Sequence, residues 1–175
     1  FRFPGAELFG GSVLVTQVIP GILFLIPIYI MYIYVQNWVR SALGLEVRLV
    51  GSYGGLVFTY TAFFVPLSIW ILRGFFASIP KELEEAAMVD GATRWQVFTK
   101  ILLPLSAPMF VFIFLLQFVG TYSEFVLANL VLTGVESWNV GVGLRSFTTG
   151  QFQTKWGVFA AASVLGSLPI LFLFY

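Results

Sequence analysis

The sequence predicts an all-α protein, a polytopic bundle of helices that crosses a membrane several times. Hydrophobic residues fill 59% of its 175 positions and charged residues only 10%, whereas soluble domains carry about 25% charged residues. Four apolar runs are long enough to cross a hydrocarbon core of about 30 Å. Charge concentrates between two of these runs, in residues 78–100. We therefore expect residues 1–175 to form a single transmembrane domain.

The first two predicted spans cover residues 12–36 and 54–76. Pro20 and Pro27 lie inside the first span and remove backbone donors, so we expect this helix to bend. The bend is compatible with a helix that lines a pore and equally with one that only shapes packing. The second span ends near Arg73, whose long side chain can reach the membrane interface.

The third and fourth predicted spans cover residues 101–120 and 156–175. Pro104 and Pro108 are expected to set the angle at which the third helix leaves the preceding segment. The fourth span carries small residues at four-residue spacings, which let helix backbones pack closely. We expect this last helix to lie at an interface with other helices.

Residues 78–100 are predicted to form a polar hairpin of two short helices. Ser78 is a candidate cap of the first helix and Pro80 suits its first turn. Gly91 is expected to end this helix, because glycine accepts the left-handed conformation without a Cβ penalty. Three acidic residues lie near the start, where the positive end of the helix dipole stabilises negative charge: Glu82, Glu84 and Glu85.

The second helix of the hairpin is predicted to begin at Thr93. Thr93 and Gln96 have the spacing of a capping box, in which each side chain satisfies a free backbone N–H. One side of the first helix looks suited to docking, because its alanines let a partner backbone approach. An amphipathic helix that rests on lipid headgroups would show the same pattern. The residues on this side are Leu83, Ala86, Ala87 and Asp90.

Several function classes are excluded by the composition. The chain has no cysteine and no histidine, which excludes disulfides, thiolate or imidazole metal sites, and nucleophiles that depend on histidine. No lysine follows the pattern of a phosphate-binding loop, and Gly141-Val142-Gly143 lacks the strand-to-helix context of a dinucleotide site. A net charge of +1 favours no nucleic-acid partner. We expect no catalytic residue, no metal site and no cofactor in this chain.

A second polar cluster, Tyr122, Ser123, Glu124 and Asn129, follows the third span. A carboxylate at membrane depth costs about 2.5–3.5 kcal/mol on insertion scales. Glu124 is therefore expected to face a water-filled cavity or a partner, or to be a solvated loop residue.

The hairpin resembles the E-A-A motif of ABC importer permeases. Glu85-Ala86-Ala87 is followed after three residues by Gly91, and after nine more by Ile101, one residue and Leu103-Pro104. In that family the hairpin is the coupling helix, which sits in a groove of a cytoplasmic ATPase subunit. The resemblance assigns ATPase coupling to five residues: Glu85, Ala86, Ala87, Asp90 and Gly91.

Two further segments are similar to sugar-transporter permeases. FVGTYSEFVLANLVL matches a segment that usually reads Trp-Asn-Glu-Phe, with Tyr122 and Ser123 at the Trp and Asn positions. The ending from residue 140 onward also resembles these permeases, especially Trp156-Gly157. The chain is thus similar to the carbohydrate-uptake, maltose-type second permease subunits, with a type I importer core truncated at both ends. The resemblance implies a substrate path that includes four residues: Tyr122, Ser123, Glu124 and Asn129.

The resemblance also implies partners and a location. It implies a heterodimer with a second permease, two ATPase subunits that bind ATP and Mg, and an extracytoplasmic solute-binding protein that docks on residues 121–155. The protein would be a multi-pass component of a prokaryotic plasma (inner) membrane. Its substrate would be a sugar or oligosaccharide, with glycerol phosphate or a polyol as alternatives. A hypothesis from a different class, that the protein is an autonomous channel or a membrane scaffold, stays open.

Overall fold

A computed structural model of the protein describes residues 5–149 and 155–175, so residues 150–154 of the predicted outer connection lie outside the description. Throughout the described residues every regular element is helical, as predicted for an all-α protein. The helices are α1 (Ala6–Val18), α2 (Leu25–Leu43), α3 (Tyr53–Ser78), α4 (Lys81–Val89), α5 (Arg94–Val97), α6 (Leu103–Leu105), α7 (Ala107–Ser123), α8 (Val126–Val131), α9 (Val140–Ser146) and α10 (Trp156–Phe174). Short turns of 3₁₀ pitch occupy Gly21–Phe24 and Val135–Ser137, and one of π pitch occupies Phe98–Leu102.

Three helical segments of the described chain are long and apolar enough to cross a membrane: Gly21–Leu43, Tyr53–Ser78 and Trp156–Phe174. A bent pair, Arg94–Leu105 and Ala107–Ser123, has the same character when taken together. The second and fourth predicted spans coincide with α3 and α10 to within two residues at each end.

The first predicted span, 12–36, is wrong as a continuous segment. Helix α1 ends at Val18, and the membrane-length segment begins only at Gly21. Pro20 has φ −56° and ψ 125°, a non-helical conformation, and it has no N–H to donate to the preceding turn. The helix therefore breaks at Pro20 instead of bending through it, and Pro27 falls in the first turn of α2, where a missing N–H costs little.

The third predicted span, 101–120, contains a break. The axes of the two helical pieces on either side of Ser106 differ by 58°, and this bend lies between Pro104 and Pro108. Pro104 has no N–H for the carbonyl of the preceding turn, and the helix widens to π pitch over Phe98–Leu102. Ser106 is fully buried at the bend, where its hydroxyl donates to the Leu102 carbonyl at 2.6 Å.

The described residues divide into two compact units, each with its own core. The first unit comprises Phe1–Val18 and Phe64–Gln117. Its core consists of Ile79, Val97 and Leu102, with Phe75, Phe76, Ala87, Ala92 and Phe98 packed against them. This core joins the end of α3, both helices of the hairpin and the π-pitch turn.

The second unit comprises Ile19–Phe63 and Phe118–Tyr175. The Tyr32 hydroxyl of α2 donates to the Gly55 carbonyl of α3 at 2.8 Å and contacts the Thr59 hydroxyl. A polar contact of this kind satisfies the tyrosine oxygen inside an apolar environment. The core combines residues of α2, α3, α8 and α9 with one that follows α8: Tyr32, Leu56, Leu127, Ala128, Val131, Leu132 and Val142.

Candidate functional site

The first helix of the hairpin, α4, begins at Lys81 with Pro80 at its N-cap. Pro80 therefore lies one residue before the first turn and not within it, as was predicted, and no side chain forms a capping hydrogen bond to this helix. The prediction that Ser78 is the cap is wrong. Helix α3 continues through Ser78, and its hydroxyl donates to the Phe75 carbonyl at 2.7 Å.

The turn between α4 and α5 closes with a Schellman motif. Ala92 N–H donates to the Ala87 carbonyl at 3.0 Å, and Gly91 N–H donates to the Met88 carbonyl at 3.1 Å, which is the bond pair of that motif. Gly91 has φ +86°, so the predicted left-handed conformation is confirmed. The Ala87 and Met88 carbonyls near the end of α4 are thus satisfied within the hairpin itself.

Helix α5 begins with the predicted capping box. Thr93 N–H donates to Gln96 Oε1 at 2.8 Å, and Gln96 N–H donates to Thr93 Oγ1 at 3.3 Å. Both bonds of the box are present, which confirms this prediction. The Schellman turn and the capping box are adjacent, since only Ala92 separates Gly91 from Thr93. Because both motifs are made by near neighbours in the chain, the hairpin is determined by its local sequence.

The predicted docking side of α4 divides between two environments. Ala87 packs against the buried cluster of Ile79, Val97 and Leu102, whereas Ala86 is exposed. Of the two alanines, Ala87 therefore contributes to the hairpin's own core.

The outward side of the hairpin combines carboxylates with apolar side chains. Glu85 and Asp90 are exposed, and within the described chain the one ion pair joins Arg40 to Glu46. Val89 is 87% exposed and Trp95 71% exposed. Exposed apolar side chains occur at protein-binding surfaces and equally on amphipathic helices that rest on lipid headgroups.

The Glu124 carboxylate lies at the start of α8. Its Oε1 accepts from Leu127 N–H at 2.7 Å, and its Oε2 accepts from Ala128 N–H at 3.0 Å and from the Tyr60 hydroxyl at 2.7 Å. Helix N-termini offer free N–H groups and a positive dipole end, which suit a carboxylate. Glu124 is thus half-buried and bonded within the protein, an arrangement that neither the cavity nor the loop prediction described.

The other three predicted path residues do not join Glu124 in one site. The Tyr122 ring stacks on Phe118 with centroids 5.4 Å apart. The Ser123 hydroxyl donates to the Val119 carbonyl of its own helix at 2.8 Å. Asn129 lines a cleft instead.

The cleft that contains Asn129 has a volume of about 370 Å³ and lies between α8 and α9. The Arg145 guanidinium lies over the Phe125 ring, 5.4 Å from its centroid. Sequence reasoning missed most of this lining, because no local spacing indicates that α8 and α9 come together. The lining residues are Phe125, Val126, Asn129, Trp138, Val142, Arg145, Ser146 and Thr149.

No cluster of acidic side chains in the described ranges is arranged to hold a metal ion. These features describe an α-helical integral membrane protein with a polar hairpin that is closed by its own hydrogen bonds and exposes carboxylates and apolar side chains. The family described as "binding-protein-dependent transport system inner membrane component" matches residues 2–175. The chain belongs to this family.

Relatives with assigned names support the same class. The chain is 38% identical over 173 residues to the maltose/maltodextrin transport system permease protein MalG of Vibrio vulnificus (strain YJ016). It is 36% identical over 175 residues to the proteins of that name in Salmonella typhimurium (strain LT2) and Escherichia coli (strain K12). These alignments cover 99% of this chain and 56% of each relative, so the chain spans about half their length.

Proposed function

We propose that the chain is part of the transmembrane permease subunit of an ATP-driven ABC importer for a sugar or oligosaccharide. The observation that carries this proposal is the hairpin, which is closed by its own hydrogen bonds and yet exposes Glu85, Val89 and Trp95. The named relatives, which are maltose/maltodextrin permeases, support the substrate class. In this assignment the subunit itself catalyses no reaction.

The hairpin suits the transmission of force because both of its ends are packed into helices. Ile79, between α3 and α4, and Leu102, just before α6, share one buried cluster with Val97 of α5. A displacement of the hairpin therefore moves the end of α3 together with the helix that leads into α7, since close-packed interiors transmit displacement. ATP binding with Mg would close the ATPase pair, and this motion would reach the spans through the cluster.

Glu85 would make the principal polar contact to an ATPase subunit. Its carboxylate is exposed and, among the described residues, has no ion-pair partner. A charge-assisted hydrogen bond to a basic side chain is shorter and stronger than a neutral one. Val89 and Trp95 would supply apolar contact area around that bond.

The complete assembly would contain a second permease subunit, two ATPase subunits and an extracytoplasmic solute-binding protein. The hairpin would face the cytoplasm, and the protein would cross a prokaryotic plasma membrane several times. Among the residues predicted for the substrate path, Asn129 fits best, because it shares the cleft with Trp138 and Arg145. An aromatic face beside hydrogen-bonding groups suits the apolar ring faces and hydroxyls of a sugar.

Reconstitution of the full-length protein with these partners in lipid vesicles tests the proposal. Maltodextrin uptake is expected only with ATP inside the vesicles and loaded binding protein outside. An ATPase variant that cannot hydrolyse ATP is the control and should abolish uptake. Uptake that continues with this variant would indicate an autonomous channel, and failure with every sugar but success with glycerol phosphate or a polyol would correct the substrate class.

A further inference from the structure

Glu124 lies at a junction between α3 and α8. Its carboxylate accepts hydrogen bonds from two N–H groups of α8 and from the hydroxyl of Tyr60 in α3. Tyr60 and Glu124 are 64 residues apart in the chain. The three donors engage both carboxylate oxygens, so the groups that hold this charge belong to the protein itself.

A second residue, Asn139, extends the junction to α9. Its Nδ2 donates to the Glu124 carbonyl at 2.6 Å, and its Oδ1 accepts from Val142 N–H at 2.9 Å. Asn139 thereby caps α9 while it holds the backbone from which α8 begins.

A glycine makes this close approach sterically feasible. A Cβ added to Gly141 would lie 2.7 Å from the Glu124 carbonyl oxygen and 3.0 Å from the Cβ of Phe125. Alanine at this position would therefore force the start of α9 away from the residue pair that begins α8. The cleft lies between these two helices, so its width depends on the junction.

We infer that Glu124 is a positioning residue, which contacts no sugar but fixes α8 and α9 so that the cleft keeps its shape. This inference rests on the proposed transport function for its consequence, although its structural part can be tested independently. Glutamine cannot replace the carboxylate, because its NH₂ group would take the place of one oxygen and face a donor that now bonds to that oxygen. Aspartate keeps both acceptors and is itself a favoured residue at helix N-termini.

The test uses the full-length protein in its complex, with Ser146→Cys as a reporter in the cleft and any native cysteines replaced by serine. The rate at which a membrane-impermeant maleimide labels this cysteine is measured in four backgrounds: unchanged, Glu124→Gln, Glu124→Asp and Tyr60→Phe. Glu136→Gln, at an exposed glutamate, is the matched control. Uptake is measured over a range of concentrations of loaded binding protein, which gives the half-saturating concentration separately from the maximal rate.

Glu124→Gln is expected to change the labelling rate at least about fivefold, as the loss of a charged hydrogen bond implies. It should also raise the half-saturating concentration more than it lowers the maximal rate. Glu124→Asp should restore much of both readouts. Tyr60→Phe should change both readouts in the same direction by a smaller amount, because it removes one of the three hydrogen bonds to the carboxylate.

Reduced uptake with unchanged labelling would overturn the inference, because Glu124 would then affect transport without changing the cleft. No change in either readout would overturn it as well. If Glu124→Gln prevents assembly, Tyr60→Phe carries the test, since it leaves both α8 bonds in place, and unchanged labelling would then contradict the inference. A wild-type complex that transports nothing would contradict the proposed function, whereas the labelling rates would still decide the role of Glu124.

Discussion

Two regions interrupt the runs of membrane-length helix and are held together differently: the hairpin, residues 78–100, and the segment from Glu124 to Thr149. The hairpin is closed by bonds between near neighbours, such as Ala92 to Ala87. The second segment depends on partners far away in the chain, with 64 residues between Tyr60 and Glu124. The first structure is therefore encoded locally, whereas the second exists only when the whole unit has folded.

The two regions also differ in what they do with their carboxylates. Glu85 and Asp90 are exposed on the hairpin, where no ion pair forms among the described residues. Glu124 is bonded three times within its own unit. The exposed carboxylates of the hairpin, beside exposed apolar groups, are available to a partner, whereas the Glu124 carboxylate is already engaged within the protein.

The largest expected effect on stability comes from the long-range segment. Gly141→Ala would place its Cβ 2.7 Å from the Glu124 carbonyl oxygen, and overpacking of this kind costs about 1–3 kcal/mol. Gly143→Ala is the matched control in the same helix, because nothing lies within 4 Å of the added Cβ. Thermal unfolding of the purified complex should show a loss for the first variant and no loss for the second. Equal behaviour of the two would mean that α9 does not pack this closely.

A smaller loss of stability is expected at the turn of the hairpin. Gly91 has φ +86° and free space around it, so Gly91→Val is strained by its backbone conformation alone, at about 1–2 kcal/mol. Gly91→Asn is the control, since asparagine tolerates this conformation. We expect the valine variant to insert into the membrane but to lose sugar-stimulated ATP hydrolysis. Wild-type stimulation in Gly91→Val would indicate that the hairpin is a surface loop without a coupling role.

Glu85→Ala is expected to have the smallest effect on stability and a clear effect on coupling. Substitutions at exposed positions usually change stability by less than about 0.5 kcal/mol, and Glu85 has no ion pair to lose within the described chain. Uptake into vesicles by the purified mutant complex should nevertheless fall. Glu82→Ala, at another exposed glutamate of α4, provides the comparison, and normal uptake by Glu85→Ala would remove Glu85 from the interface.

The difference between local and long-range encoding also explains which predictions succeeded. The Gly91 turn and the Thr93–Gln96 box were predictable because each depends on residues within one helical turn. The cap at Ser78 failed because α3 extends further than its apolar run indicates. The role of Glu124 could not be predicted, since no pattern along the chain indicates that Tyr60 lies beside it.

The fold class was predictable from composition, whereas the limits of the spans were predictable for only two of the four. Two spans coincide with helices because their apolar lengths are uninterrupted by a break. At Pro20 the chain leaves the helical conformation completely, and the hydropathy of the flanking residues does not reveal this. The cleft of α8 and α9 was missed for a related reason: its lining comes from residues as distant as Phe125 and Thr149.

Site-specific photo-cross-linking tests most directly whether the hairpin is an intermolecular surface. Val89→Cys and Val135→Cys, at valines that are 87% and 70% exposed, would each carry a benzophenone maleimide in the full-length complex, with any native cysteines replaced by serine. Both positions are exposed valines, so a difference in adducts reflects their surroundings and not burial of the probe. The account predicts that the probe at 89 forms an adduct with an ATPase subunit and that the probe at 135 does not. Adducts with lipid alone at position 89, or ATPase adducts of equal yield at both positions, would contradict it.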